Sequence, residues 1–252
     1  MATSRYQAYG EAMKRATEVV WKHPVATAIG GAAVLGVSWT VWDFEEWKAF
    51  GTGGTPATWA GYWRMTKVRI GRFMSSDSLR DPSPLASDGP RYLKTGLKAR
   101  EGGRPRIMAR TMPQRQRPDS IDVHAKQRVQ TMMQTLAERH PKLLELRKSK
   151  TEGRTTDAVY AKADLATLNP RAKDPILDHE IAHAHPADHS LHVWLSQPDA
   201  RTVIEAQWGE RFPLAFVDPG WTMVYAPRTV EEVDLVEAIV RAGIAWITGV
   251  EV

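Results

Sequence analysis

Five of the eight histidines in this 252-residue chain fall between positions 179 and 192, in the run HEIAHAHPADHSLHVWL. Imidazole is the side chain whose charge changes near neutral pH, and it is the commonest metal ligand, so such clustering points to proton transfer or metal binding. Read as a β-hairpin, residues 179–185 make one strand, 186–189 the turn and 190–196 the return. That register sets His185 opposite Ser190 and His183 opposite His192. Side chains alternate along a strand, so His183, His185, Ser190 and His192 then share one face, flanked by Ile181 and Trp194. Directly opposite Cβ atoms lie about 4.5–5.5 Å apart. Three chemistries compete. A metal site would use His183, His185 and His192 with an oxygen from Asp188 or Glu180. A metal-free site would use one imidazole as general base, oriented by a neighbour or by Asp188. In the third reading the histidines are hydrogen-bonded parts of a half-buried sheet.

Other polar candidates lie downstream. Trp208–Leu214 reads as a helix end followed by an extended stretch, and Tyr225–Arg228 closes a strand. Arg211 or Arg228 would hold an anionic enolate or carboxylate, or else cap a helix and pair with Glu231 or Glu232. Ser190 lacks the G-x-S-x-G elbow of an esterase nucleophile. Walker A and dinucleotide fingerprints are absent, so nucleotide chemistry has no support. The chain has no cysteine, which excludes disulfide scaffolds, thiolate catalysis and cysteine metal sites.

The elements that must carry these residues follow from periodicity. Residues 120–147 have helical spacing at Ile121, Val129, Met132, Met133, Leu136 and Leu143–Leu144, with Pro141 as a possible break. Residues 155–168 read as a strand, 198–208 as a short helix and 221–226 as a strand closed by Pro227. Thr229 caps a helix over 230–248 with a core stripe of Val233, Val236, Ile239, Val240, Ile244 and Ile247. Strands and helices without βαβ alternation give an α+β class: a small, mostly antiparallel sheet packed by helices. The segment 75–118, rich in Ser, Pro, Gly, Asp and Arg, reads as an irregular wrap.

Two segments near the N-terminus suit a membrane. From Pro24 to Trp42 the chain runs nineteen residues without a charge, near the length that crosses a bilayer core. Trp21 on one side and Trp39, Trp42 and Trp47 on the other match interfacial anchors. The charged lead is long and lacks a clear small-x-small site, which argues against a cleavable signal peptide. Residues 56–74 interleave Trp59, Tyr62, Trp63, Ile70 and Phe73 with Arg64, Lys67, Arg69 and Arg72, a pattern suited either to an anionic bilayer surface or to a helix packed on the domain with a solvated basic face. The net charge of +5 is uneven: zero over 1–63, +10 over 64–117 and −5 over 118–252. No nucleic-acid-binding signature accompanies the basic middle, so nucleic acid is not an expected partner. The expected organisation is therefore 1–50 as helix and transmembrane anchor, 51–118 as basic helix and connector, and 119–252 as the α+β catalytic domain. The protein is expected on an intracellular membrane.

Several stretches together resemble the fungal luciferase family: Glu180–His183, His185, Asp188, Leu191–His192, Trp208–Arg211, Pro213–Ala215, Trp221–Thr222 and Tyr225–Arg228. Arg100–Gly102, Arg104–Pro105, Gln114–Arg117 and Arg139–His140 extend the likeness upstream. Two positions depart from the family pattern: Phe212 stands in place of a histidine, and Gln207 in place of a glycine. The resemblance implies oxidation of 3-hydroxyhispidin, a hydroxylated styryl-pyrone, by molecular oxygen through a cyclic peroxide, with loss of carbon dioxide and emission of light. It implies no metal and no cofactor beyond oxygen as co-substrate. On that reading His183 or His192 is the base, His185 and Asp188 orient it, and Arg228 or Arg211 stabilises the anion. Trp194, Trp208 and Trp221 wall the substrate pocket, with Glu180 and Tyr225 also facing substrate.

Overall fold

The computed structural model describes residues 2–252 apart from Thr95 and Thr111. The chain divides into two compact units, Met1–Gly51 and Thr52–Val252. The first contains α1 (Ala2–Lys22) and α2 (Pro24–Phe50), parted where Pro24 starts a new helix. Pro is tolerated at a first helical position because its missing N–H would have no intrahelical partner there. The α2 helix is long and apolar enough to cross a membrane, and the residues of its apolar window are exposed.

The second unit opens with α3 (Trp59–Met74), capped by Thr58, whose side chain accepts the Gly61 N–H. Its aromatic set divides: Tyr62 is buried, whereas Trp63, Ile70 and Phe73 are exposed. Asp122 caps α4 (Val123–Arg139) by accepting the N–H groups of His124 and Ala125. Ala125, Val129, Met132, Met133 and Leu136 form its buried stripe. The helical pattern read through Leu144 stops earlier than expected. Pro141 cannot donate to the helix, the chain turns, and Leu144–Lys148 becomes edge strand β1.

A six-stranded sheet follows in the order β1-β2-β3-β4-β6-β5, every neighbouring pair antiparallel. Its other strands are β2 (Asp157–Ala161), β3 (Glu180–Ala184), β4 (Leu191–Trp194), β5 (Gly209–Arg211) and β6 (Trp221–Val224). A short 3-10 turn, Pro170–Lys173, precedes β3. Helix α5 (Gln197–Glu205) packs near β5, and α6 (Val230–Thr248) packs on β3 and β4. The α+β class is thus present.

Two glycines let α6 sit where it does. At Gly243 a Cβ would come within 2.9 Å of both the Trp194 carbonyl oxygen and Val193 Cγ1. The helix therefore lies directly on the Val193 side of β4. At Gly249 the chain turns left-handed, φ 71°, and ends the helix. Because Val193 faces α6, the alternation of the strand turns His192 to the opposite face. That opposite face is covered by the irregular segment around Gln114–Gln116 and by the turn that follows β1.

Candidate functional site

The hairpin forms in the register that alternation requires. His183 pairs with His192 and Ala184 with Leu191, and the His185 N–H donates to the Ser190 carbonyl at 2.8 Å. Three imidazole nitrogens converge as a result. His183 Nε2 lies 3.2 Å from His185 Nε2, His185 Nε2 lies 3.1 Å from His192 Nδ1, and His192 Nδ1 lies 3.3 Å from His183 Nε2. All three side chains are buried.

The far nitrogen of each ring is held by a partner that fixes its tautomer. His183 Nδ1 faces Glu180 Oε1 at 2.8 Å and donates to it. Ser190 Oγ gives its single proton to Asp188, 3.0 Å away, so it accepts from His185 Nδ1 at 2.8 Å. Gln114 donates its amide N–H groups to Glu210 and the Arg211 carbonyl, which turns its oxygen toward His192 Nε2 at 3.4 Å. In its neutral form each ring therefore carries its proton on the outer nitrogen and points a lone pair at the common centre. Burial holds His185 and His192 well below the ordinary histidine value, so both are neutral.

Charged groups ring the cluster. Burial works to raise the Glu180 pKa, but hydrogen bonds from His183, Ser149 and Tyr160 outweigh it and hold the carboxyl at about 2. Arg115 is buried against Glu152, and its Nη1 lies 3.0 Å from His185 Nε2. Burial lowers its guanidinium to about 10, with Asp188 opposing the shift. Asp188 is raised by burial despite Arg115 and its hydrogen bonds to Ser190 and Gln116. Glu152 Oε2 stands 3.7 Å from His183 Nε2 and 4.0 Å from His185 Nε2.

A cavity of about 360 Å³ lies beside the cluster, lined in part by Arg64, Met112, Thr151, Phe212, Phe216 and Trp221. Trp221 stacks on His192 with ring centroids 5.7 Å apart, and Phe212 meets the same imidazole edge-on at 5.1 Å. Trp221 is thus the one expected pocket wall that lines this cavity. Trp194 is fully buried in β4, and Trp208 is buried with its indole N–H donated to the Lys98 carbonyl and Arg100 over its ring. The Tyr225 hydroxyl donates to Glu210, and Glu180 faces His183 rather than the cavity.

The two downstream arginines are engaged elsewhere. Arg211 is tied to Asp77 and to the carbonyls of Ser78 and Asp81, and Arg228 to Glu232 and the Glu101 carbonyl. The cation that does reach the imidazoles is Arg115. It comes with Gln114, Ser149 and Glu152, none of which stood out as site residues in the sequence. The interleaved Gln114–Arg115–Gln116–Arg117 was the available signal. Gln116 pins this segment through its N–H to Asp188 and its side-chain oxygen to the Ala226 N–H. Gln207 adopts φ 64°, a left-handed conformation that glycine takes without strain.

Residues 178–243, which hold the whole histidine cluster and most of the sheet behind it, match the family model described as "Luciferase domain". The luciferase of Armillaria mellea is 33% identical over 167 residues, and that of Neonothopanus nambi 33% identical over 172. The luciferase of Armillaria ostoyae is 34% identical over 168 residues. Each alignment covers 60% of this chain, and the chain spans 61% of the length of these curated relatives. No solved structure matches the chain. The buried hairpin and its imidazoles thus lie inside the stretch that matches the luciferase domain, and the chain is similar to the fungal luciferases.

Proposed function

We propose that the protein is a luciferase-like oxygenase that oxidises a hydroxylated styryl-pyrone of the 3-hydroxyhispidin type with molecular oxygen, held at an intracellular membrane by α2. The observation that carries this reading is the buried three-imidazole cluster beside an aromatic-walled cavity, within the residues that match the luciferase domain. A hydroxypyrone becomes reactive toward oxygen when its enol loses a proton and the ring becomes an electron-rich anion. An imidazole lone pair of the cluster would accept that proton, and Arg115 would supply a positive charge beside the anion that forms. The flat substrate would lie against Trp221 and Phe212, where exclusion of water protects a peroxide from hydrolysis. The basic helix α3, with Trp63, Ile70 and Phe73 exposed, fits contact with an anionic bilayer surface.

The test is oxygen uptake, carbon dioxide release and light from the purified full chain given 3-hydroxyhispidin. Uptake with light is the expected result. Uptake without light would mean that the oxidation is kept and the emissive route lost. A folded protein that consumes no oxygen would overturn the reading.

A further inference from the structure

We propose that His183, His185 and His192 bind a divalent first-row transition-metal ion, with Glu152 as a fourth ligand. The proposal goes beyond the oxygenase reading and rests on the donor atoms rather than on the reaction.

Three observations carry it. The first is spacing. Nitrogens sharing one ion at about 2.0–2.1 Å lie roughly 3.3–3.4 Å apart at tetrahedral angles and roughly 3.0 Å apart at octahedral ones. The three separations here, 3.1, 3.2 and 3.3 Å, fall between these limits. The second is hydrogen-bond accounting. The outer partners place every ring proton on the far nitrogen, so three acceptors face one another inside the protein. Arg115 Nη1 donates to one of them. The lone pairs of His183 and His192 are left facing acceptors, and buried acceptors without donors are costly. A cation at the centre satisfies both of these and takes the place of Arg115 Nη1 on His185.

The third is charge. Glu152, Glu180 and Asp188 surround the cluster against one cation among the described residues, Arg115. With the carboxylates ionised, this buried shell carries a net −2, the complement of a divalent ion. The outer shell also has the form that metal-binding histidines require. Glu180 holds His183, the Ser190–Asp188 pair holds His185, and Gln114 holds His192, each fixing ring orientation and directing the lone pair. Neutral imidazole with one carboxylate suits zinc, iron, copper and nickel, not calcium or magnesium.

The experiment uses the purified full chain, stripped with a chelator and titrated with Co²⁺, whose ligand-field absorption reports a nitrogen-rich low-symmetry site. One equivalent is expected to saturate the signal. His183→Ala and His192→Ala should abolish it, whereas His189→Ala, in the adjoining turn, should leave it intact. Ser190→Ala, a small change behind His185, should weaken affinity roughly 10- to 100-fold with folding retained. Far-ultraviolet circular dichroism on every sample establishes the fold, and Ser190→Ala keeps the test decisive should an alanine variant of a ligand fail to fold. A folded wild-type chain without the Co²⁺ signal would overturn the proposal, as would a signal untouched by Ser190→Ala and by whichever histidine variants fold. Oxygen uptake is recorded separately: Co²⁺ binding with no uptake from the metal-loaded or native protein would overturn the oxygenase reading and leave the metal site standing.

Discussion

The two faces of the central strands β3 and β4 are both buried and are made of opposite materials. Val193 and the face it shares with Ala182 meet the aliphatic stripe of α6, with Gly243 removing the one Cβ that would hold the helix off. One residue away on the same strand, His192 points into a shell of imidazoles, carboxylates, a guanidinium and amides, with its aromatic edge against Phe212. The apolar face draws its stability from area removed from water and tolerates small shifts in position. The polar face depends on individual donors and acceptors, and residues brought from Gln114 to Glu210 hold the outer nitrogens of its imidazoles. Burial alone therefore says little about what a sheet face is for. What distinguishes this one is that its polar groups are fixed by partners pointing outward while their lone pairs point in.

The largest contrast should come from adjacent residues of β4. His192→Ala should lower turnover of the hydroxypyrone by roughly 10²–10⁴ while sparing the fold. Val193→Ala should leave turnover per folded molecule unchanged and cost about 2 kcal/mol in urea unfolding, the transfer and cavity cost of its lost methyl groups. If both variants lose stability and both keep turnover, the two faces are alike in function and the distinction fails.

A next, smaller effect is expected at Glu180. Its carboxylate accepts hydrogen bonds from Ser149, Thr151, Tyr160 and the Lys150 backbone as well as His183. Glu180→Gln brings an amide NH₂ against these donors. It should cost about 1–3 kcal/mol of stability and reduce turnover roughly 10- to 100-fold by releasing the orientation of His183. Unchanged turnover at reduced stability would make Glu180 a purely structural residue.

The smallest effects are expected at Arg211 and Arg228. Each is committed to a partly exposed ion pair, so Arg211→Lys and Arg228→Lys should alter stability by about 1 kcal/mol or less and leave oxygen uptake alone. A strong loss of uptake in either variant would return that arginine to the role of anion stabiliser that its position in the sequence suggested.

Much of this contrast was legible in the chain itself, but unevenly. The hairpin register followed from period-two alternation and a four-residue turn, both local, so His183, His185, Ser190 and His192 were placed together correctly. The stripe and cap of α6 were equally readable. The helix expected through Leu144 was misread because Leu143 and Leu144 continue a helical period that Pro141 has already ended. The site's other half was not legible. Gln114, Arg115, Ser149 and Glu152 come from an irregular segment and a turn, where no periodicity says which way a side chain points. Conversely, Trp208, Arg211 and Arg228 had suitable chemistry but found partners in that same unreadable segment, at Lys98, Asp77 and Glu101.

Phe212 closes the matter of access. Its ring lines the cavity and meets the His192 imidazole edge-on, and among the described residues no histidine lines the cavity itself. On the proposed reading, a flat molecule held there would touch the Phe212 and Trp221 rings, and both of these already rest on the His192 imidazole.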